Sequence, residues 1–256
     1  MRRICQIILL RVYRAVFANW LLRYQWGRRL FFLLYDTYKN AFEAGEIKGL
    51  RAFIPEGSLV IDVGANVGFF TILFANWVGK QGCVIAIEPE AQNFSELQRK
   101  VLADKYFGVV EIHNVVADRV GGEVLLTINP NHPGDHKIGN EGIAVPALTI
   151  DDLCSKLTRR LAFIKIDVQG AEMRVLLGAE ATLVRDQPVL FVEVDPAALS
   201  CFGTSMNELL TFLSQLNYVP HIIERSGVQL LLRERLDELI LKNGYTDILF
   251  IPKVVQ

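Results

Sequence analysis

Acidic residues close several apolar stretches of this 256-residue chain, and two of them are spaced from glycines in a way that bears on chemistry. Asp62 lies at the end of the run LVIDV (59–63), and Gly64, Asn66 and Gly68 follow at alternate positions. Glycine lets the backbone take positive φ and lets a ligand approach closely, and asparagine is among the residues that best tolerate that region. A carboxylate at Asp62 would repel a pyrophosphate. It suits a ligand carrying a cationic amino group and a sulfonium. The spacing is not the G-x-G-x-x-G of dinucleotide sites, and no Lys-Ser or Lys-Thr follows the glycines, which excludes a phosphate-cradling loop. Glu88 ends a second apolar run (83–87), 20 residues beyond Gly68. An acid at that spacing accepts hydrogen bonds from ribose hydroxyls.

These residues need a parallel sheet to bring them together. The run 59–63 is mostly β-branched and uninterrupted, as in a strand buried on both faces. A glycine turn and a helix over 69–78 follow it. Strands are expected at 83–88, 109–114, 162–168 and 189–194, with helices at 91–102, 171–180 and 206–216 between or after them. Two last strands fall at 218–223 and 247–251, joined by a helical connection over 233–242. This alternation predicts a mostly parallel α/β sheet with an antiparallel final strand. Between its third and fourth strands, 123–128 and 143–150 read as an inserted β-hairpin whose long tip, 129–142, carries Pro130, Pro133, Gly134, Gly139 and Gly142. Asp151 is expected to cap a short helix over 151–157, and Ser205 the helix at 206–216. His113 is read as a core residue of its strand.

The amino-terminal stretch differs from the rest. Its first 30 residues hold seven arginines and no acid, with apolar residues between them. Arg3, Arg11 and Arg14 share one side of a helix, and the uncharged run 15–22 is too short to span a bilayer. Two readings stay open: a basic amphipathic helix on an anionic membrane surface, with Trp20, Tyr24 and Trp26 at the interface, or a helix packed on the catalytic domain with its arginines in water. The chain is accordingly divided into a helical basic extension, 1–53, and a catalytic domain, 54–256. A net charge of −1 gives no global case for nucleic acid. The four cysteines include no C-x-x-C pair, so neither a zinc site nor a disulfide framework is indicated; that fits a reducing compartment, the cytoplasm, with membrane association as the open alternative.

The D-x-G-x-N-x-G turn with E-P-E downstream resembles the S-adenosylmethionine (SAM) site of class I methyltransferases. Taken with FIKIDVQGAEMRVLLG (163–178), VEVDP (192–196), LTIDDL (148–153) and the inserted hairpin, the chain resembles the FkbM family of SAM-dependent methyltransferases over roughly 59–252. The resemblance implies a Rossmann-like fold and methyl transfer to a hydroxyl of a sugar, glycan or related natural product. It implies that Asp62, Gly64, Asn66 and Gly68 hold the methionine part of SAM, that Glu88 binds the ribose, and that Ala117 and Asp118 lie beside the adenine, Asp118 as an acceptor for its exocyclic amine. The arginine-rich start lies outside the shared pattern.

Methyl transfer to an alcohol needs a positioned oxygen and a destination for its proton. Ligands of open α/β sheets bind outside the carboxyl ends of the strands, where Asp167, Glu193 and Asp195 lie. Asp167 is the leading acceptor-side residue; its plainer reading is a helix cap. Glu193 could hydrogen-bond the acceptor or join Asp167 around a divalent cation, although nothing demands a metal, and its plainer reading is a solvated strand end. On the long loop, His132, Asp135 and His136 occur in NHPGDHK; His136 is a candidate general base, against the plainer reading of an exposed bystander. The expected partner is a small-molecule or glycan acceptor. The alternatives are an RNA or protein methyltransferase, which the acidic strand ends disfavour for RNA, and a SAM-binding protein without catalysis.

Overall fold

The computed structural model describes residues 49–253 apart from 104, 105, 107, 130–135 and 225. The basic amino-terminal stretch, His132 and Asp135 lie outside the described residues.

The first unit is strand β1 (Leu59–Val63), the glycine turn and helix α1 (Phe69–Val78), followed by β2 (Cys83–Ile87), α2 (Ala91–Ala103) and β3 (Val110–His113). All five residues of β1 are buried because both faces are covered. Ile61 and Val63 join one core with Ile85, Ile164, Leu190 and Val192. Val60 faces the other way, into a core with Phe70, Phe74 and Val78 of α1 and with Phe163. Fully burying a side chain such as Phe74 contributes about 1.5–3 kcal/mol.

The chain then leaves the main sheet and returns as β8 (Leu161–Ile166), followed by α4 (Glu172–Leu177), α5 (Glu180–Asp186), β9 (Val189–Val194), α6 (Pro196–Cys201), α7 (Met206–Gln215), β10 (Tyr218–Glu224), β11 (Gly227–Leu230), α8 (Arg233–Asn243) and β12 (Thr246–Pro252). The strand order is β11-β10-β12-β9-β8-β1-β2-β3. Strands β3, β2, β1, β8 and β9 run parallel. Strand β12 is antiparallel to β9, as the sequence predicts for the last strand. Since β2 and β3 lie on one side of β1 and β8 on the other, the topological switch falls between β1 and β8, where such sheets bind their ligands.

Several expectations are corrected. The main sheet has an eighth strand, β11, antiparallel to β10; its four residues are all exposed, so no buried face marks it in the sequence. The insertion is more than a hairpin. Strands β4 (Val116–Ala117), β5 (Gly122–Thr127), β6 (Lys137–Gly139) and β7 (Ile143–Leu148) form a second sheet in the order β4-β7-β5-β6, closed over Val116, Leu126, Val145 and Ala147. The helix expected over 171–180 is two helices. The break is at Gly178, where a Cβ would stand 2.1 Å from the carbonyl oxygen of Asp118. Asp151 does not cap its own helix, α3 (Ile150–Ser155), whose cap is Thr149. It caps α5 instead, accepting from Ala181 N at 3.0 Å and Thr182 N at 2.7 Å. His113 is not a core residue: it ends β3, a quarter exposed, 2.7 Å from Glu111. Ser205 caps α7 as expected, in a reciprocal box with Glu208.

Candidate active site

The turn after β1 is built by backbone geometry that its sequence permits. Gly64 (φ +73°), Asn66 (φ +50°) and Gly68 (φ +88°) are all left-handed. The amides of Gly64 and Ala65 both donate to Ile87 O at 3.0 Å, which ties the turn to the end of β2. Asn66 tolerates its conformation partly because its own Oδ1 accepts from Val67 N at 2.7 Å. At Gly64 no other residue fits, since a Cβ would stand 1.9 Å from the carbonyl oxygen of Asp167. That contact places the end of β8 directly against the turn.

Glu88 lies beneath the same turn. Its Oε2 accepts from Asn66 N at 2.8 Å and its Oε1 from Glu90 N at 3.0 Å. The carboxyl is almost wholly buried, and burial outweighs those two hydrogen bonds, pushing its pKa up to about 7. It is therefore an acceptor close to balance between its charged and neutral forms.

Asp62 is fully buried. Thr71 Oγ1, from α1, donates to its Oδ2 at 2.6 Å. Its Oδ1 accepts no hydrogen bond but stands 3.5 Å from the ammonium of Lys165, its cross-strand partner on β8. Lys165 is the residue that the sequence reading missed as a functional one. Its Nζ also donates to Gly64 O at 2.8 Å and Val63 O at 3.3 Å, stands 3.4 Å from Asp167 and lies 5.5 Å from the centre of the Phe70 ring. The signal was a lysine inside the apolar stretch FIKI, at a position that β8 must bury. A buried ammonium requires paired acids and carbonyls, and this one has both.

On the acceptor side the structure brings Asp167 and Glu193 together. Gln169, itself left-handed at φ +56°, donates from its side-chain nitrogen to Asp167 Oδ1 at 3.2 Å and to Glu193 Oε2 at 3.3 Å. Burial first, then the charges of Asp167, Asp247 and Glu172, push Glu193 up to about 10, with Lys165 opposing. Asp247 is its partner across β9 and β12. Asp167 caps no helix. Glu172 does that work for the turn, its Oε1 accepting from Val168 N at 3.1 Å and Gly170 N at 3.0 Å. Asp195 is a cap, accepting from Ala197 N and Ala198 N at the start of α6.

The remaining candidates lie on the second sheet. Asp118, at the end of β4, is buried and held bidentately by Arg174 of α4, with Nε to Oδ1 at 2.7 Å and Nη2 to Oδ2 at 2.5 Å. His136 precedes the edge strand β6, where its Nδ1 accepts from Asn129 N at 3.1 Å. Among the described residues no group of three or more His, Cys, Asp or Glu is placed to hold a metal ion. Among them, too, no helix is long and apolar enough to cross a membrane.

The site fits a SAM-type cofactor: the left-handed glycine turn leaves its backbone open to a close ligand, and Glu88 places a buried carboxyl at the adjacent strand end, while the Asp62 oxygen without a hydrogen bond faces the Lys165 ammonium. Comparison with known proteins agrees. The Methyltransferase FkbM domain matches residues 62–220. "Methyltransferase 1" of Beauveria bassiana (strain ARSEF 2860) is 26% identical over 151 residues, 49% of this chain and 60% of that protein. The fold resembles that of methyltransferase FkbM from Methylobacillus flagellatus KT (TM-score 0.50, 17% identity), covering 77% of this chain but only 44% of the other. Aeropyrum pernix fibrillarin, crystallised with natively bound SAM, has a TM-score of 0.48 at 9% identity over 82% of this chain and 73% of its own. The chain thus spans about half of the length of its FkbM relatives. With the family's domain matched from the Asp62 turn through the Asp167 and Glu193 strand ends, this chain belongs to the FkbM methyltransferases, and its cofactor is S-adenosylmethionine.

Proposed function

We propose that this chain transfers the methyl group of SAM to a hydroxyl oxygen of a small molecule, a sugar or glycan or a related natural product. The observation that carries this reading is the carboxyl pair Asp167 and Glu193 on the strand ends beside the glycine turn, with Gly64 in contact with the backbone of Asp167. In this reading the turn 64–68 holds the methionine part of the cofactor, with Asp62 behind it. Glu88 accepts from the ribose hydroxyls. Asp118 borders the adenine, its carboxylate already oriented by Arg174.

Bound SAM supplies an electrophilic methyl on a sulfonium that leaves as a neutral thioether. The chain's own residues orient the acceptor oxygen and take its proton. Asp167 suits that task because it is part exposed at the site and stands beside the Lys165 ammonium. His136 suits it less, since its Nδ1 is engaged with the Asn129 amide inside the insertion. An RNA acceptor is disfavoured by the acidic rim of Asp167 and Asp247, which would repel phosphates. The test is transfer of radiolabelled methyl from SAM to a panel of sugars, glycans, polyketides, RNA and protein. Label in the hydroxyl acceptors is the expected result, and label confined to RNA or protein would overturn the reading.

A further inference from the structure

Gln169 lies between two carboxyls and touches both. Its backbone takes the left-handed conformation, which is strained for a non-glycine residue. Gly170 follows it, also at positive φ, so glycine would serve at both positions of the turn. What the strained residue adds is one side-chain amide whose nitrogen reaches Asp167 on β8 and Glu193 on β9. Those two carboxyls face further charge from every neighbouring element: Lys165 on β8, Glu172 on α4 and Asp247 on β12. Both carboxyls accept from one amide nitrogen, which favours their charged forms, while burial and the neighbouring charge of Asp167 hold Glu193 toward its neutral form. The negative charge of Asp167 is met by the Lys165 ammonium, 3.4 Å away.

We infer that Gln169 is a positioning residue: its amide holds Asp167 and Glu193 on one nitrogen and orients ionised Asp167 to receive the proton of the acceptor hydroxyl. In that step the O–H bond breaks, its electron pair stays on the acceptor oxygen, and the proton passes to Asp167 and then to water. The inference rests on the hydroxyl reading above for the identity of the proton. The clamp itself is measurable without any acceptor.

The experiment is a carboxyl ¹³C NMR titration of the full chain labelled at Asp and Glu, with Glu193→Gln used to assign signals. Wild type is expected to show two coupled steps, one far above the ordinary carboxylate range. Gln169→Leu removes a donor to the charged forms, so the steps should move upward by about one pH unit or more. Gln169→Gly should show the same shift while melting no lower than wild type, because glycine relieves the left-handed strain. SAM affinity by calorimetry should stay within about threefold in both variants. On a hydroxyl acceptor from the panel, the acid limb of the pH–rate profile should move with the titration. Unmoved titration steps in Gln169→Leu would overturn the inference, as would a Gln169→Gly variant that melts lower with its carboxyls unshifted. A clamp that fails in this way is distinct from a chain that methylates no hydroxyl.

Discussion

The ammonium of Lys165 stands 3.5 Å from the carboxylate of Asp62, and both side chains are almost completely buried. The same ammonium donates to the carbonyls of Val63 and Gly64 and borders Asp167. One cation therefore braces the glycine turn from behind and reaches Asp167 at the end of β8.

Removing one member of this pair should be costly. Lys165→Met leaves Asp62 buried without its counter-charge, and the expected loss of stability is about 3–5 kcal/mol. Adding Asp62→Asn should recover part of it. Denaturant melts of the two single variants and the double variant measure the coupling.

Gly64→Ala combines a positive φ with a Cβ only 1.9 Å from Asp167 O. The turn must shift, at a cost of about 2 kcal/mol or more. SAM binding should fall with it. Asn66→Gly should leave affinity near wild type, since that position needs only the conformation. Calorimetry separates the two cases.

Glu88 is expected to make SAM binding depend on pH. Ribose hydroxyls donate to an ionised carboxylate, and burial has raised this one to about 7. Affinity should weaken roughly tenfold per pH unit below that value. Glu88→Gln should bind weakly at every pH, with the slope gone.

The same shift has the opposite sign for the stability of the cofactor-free chain. A carboxyl whose folded pKa is raised contributes stability that is full below its unfolded value near 4.5 and lost as pH rises through the folded value. Glu88 spans the window up to about 7, and Glu193 extends it to about 10. Their joint contribution should lower the melting temperature as pH rises across that window. The fall should be shallower in Glu88→Gln and Glu193→Gln, as thermal melts at stepped pH would show.

Asp167→Asn keeps the side chain's size and removes its charge. Turnover should drop about 10²- to 10⁴-fold with SAM affinity spared. His136→Gln should stay within about threefold of wild type. Single-turnover rates with labelled SAM test both, and a large loss in His136→Gln would return the base to the loop.

The sequence showed the parallel sheet and its glycine turn clearly, because β1 and β2 are continuous apolar runs, the first of them leading straight into Gly64. It did not show Lys165 as part of the site. The lysine inside FIKI marks a buried charge, but only the register sets it opposite Asp62. Strand β11 was invisible because all four of its residues face solvent. The second sheet was reduced to a hairpin because β4 has two residues and β6 three, too short for any alternation to register. Gln169 carried no signal either, since its meaning lies in a φ value and in two carboxyls on separate strands.

The switch between β1 and β8 has a consequence for synthesis. Lys165 and the carbonyls it holds are 101 and 102 residues apart in the chain. A ribosome that has released the chain through β3 has exposed the whole glycine turn, but the cation that neutralises Asp62 is still untranslated. Contacts of such long range form slowly, after the loop between them has closed. The nascent half-sheet thus carries an unbraced Asp62 until β8 inserts beside β1.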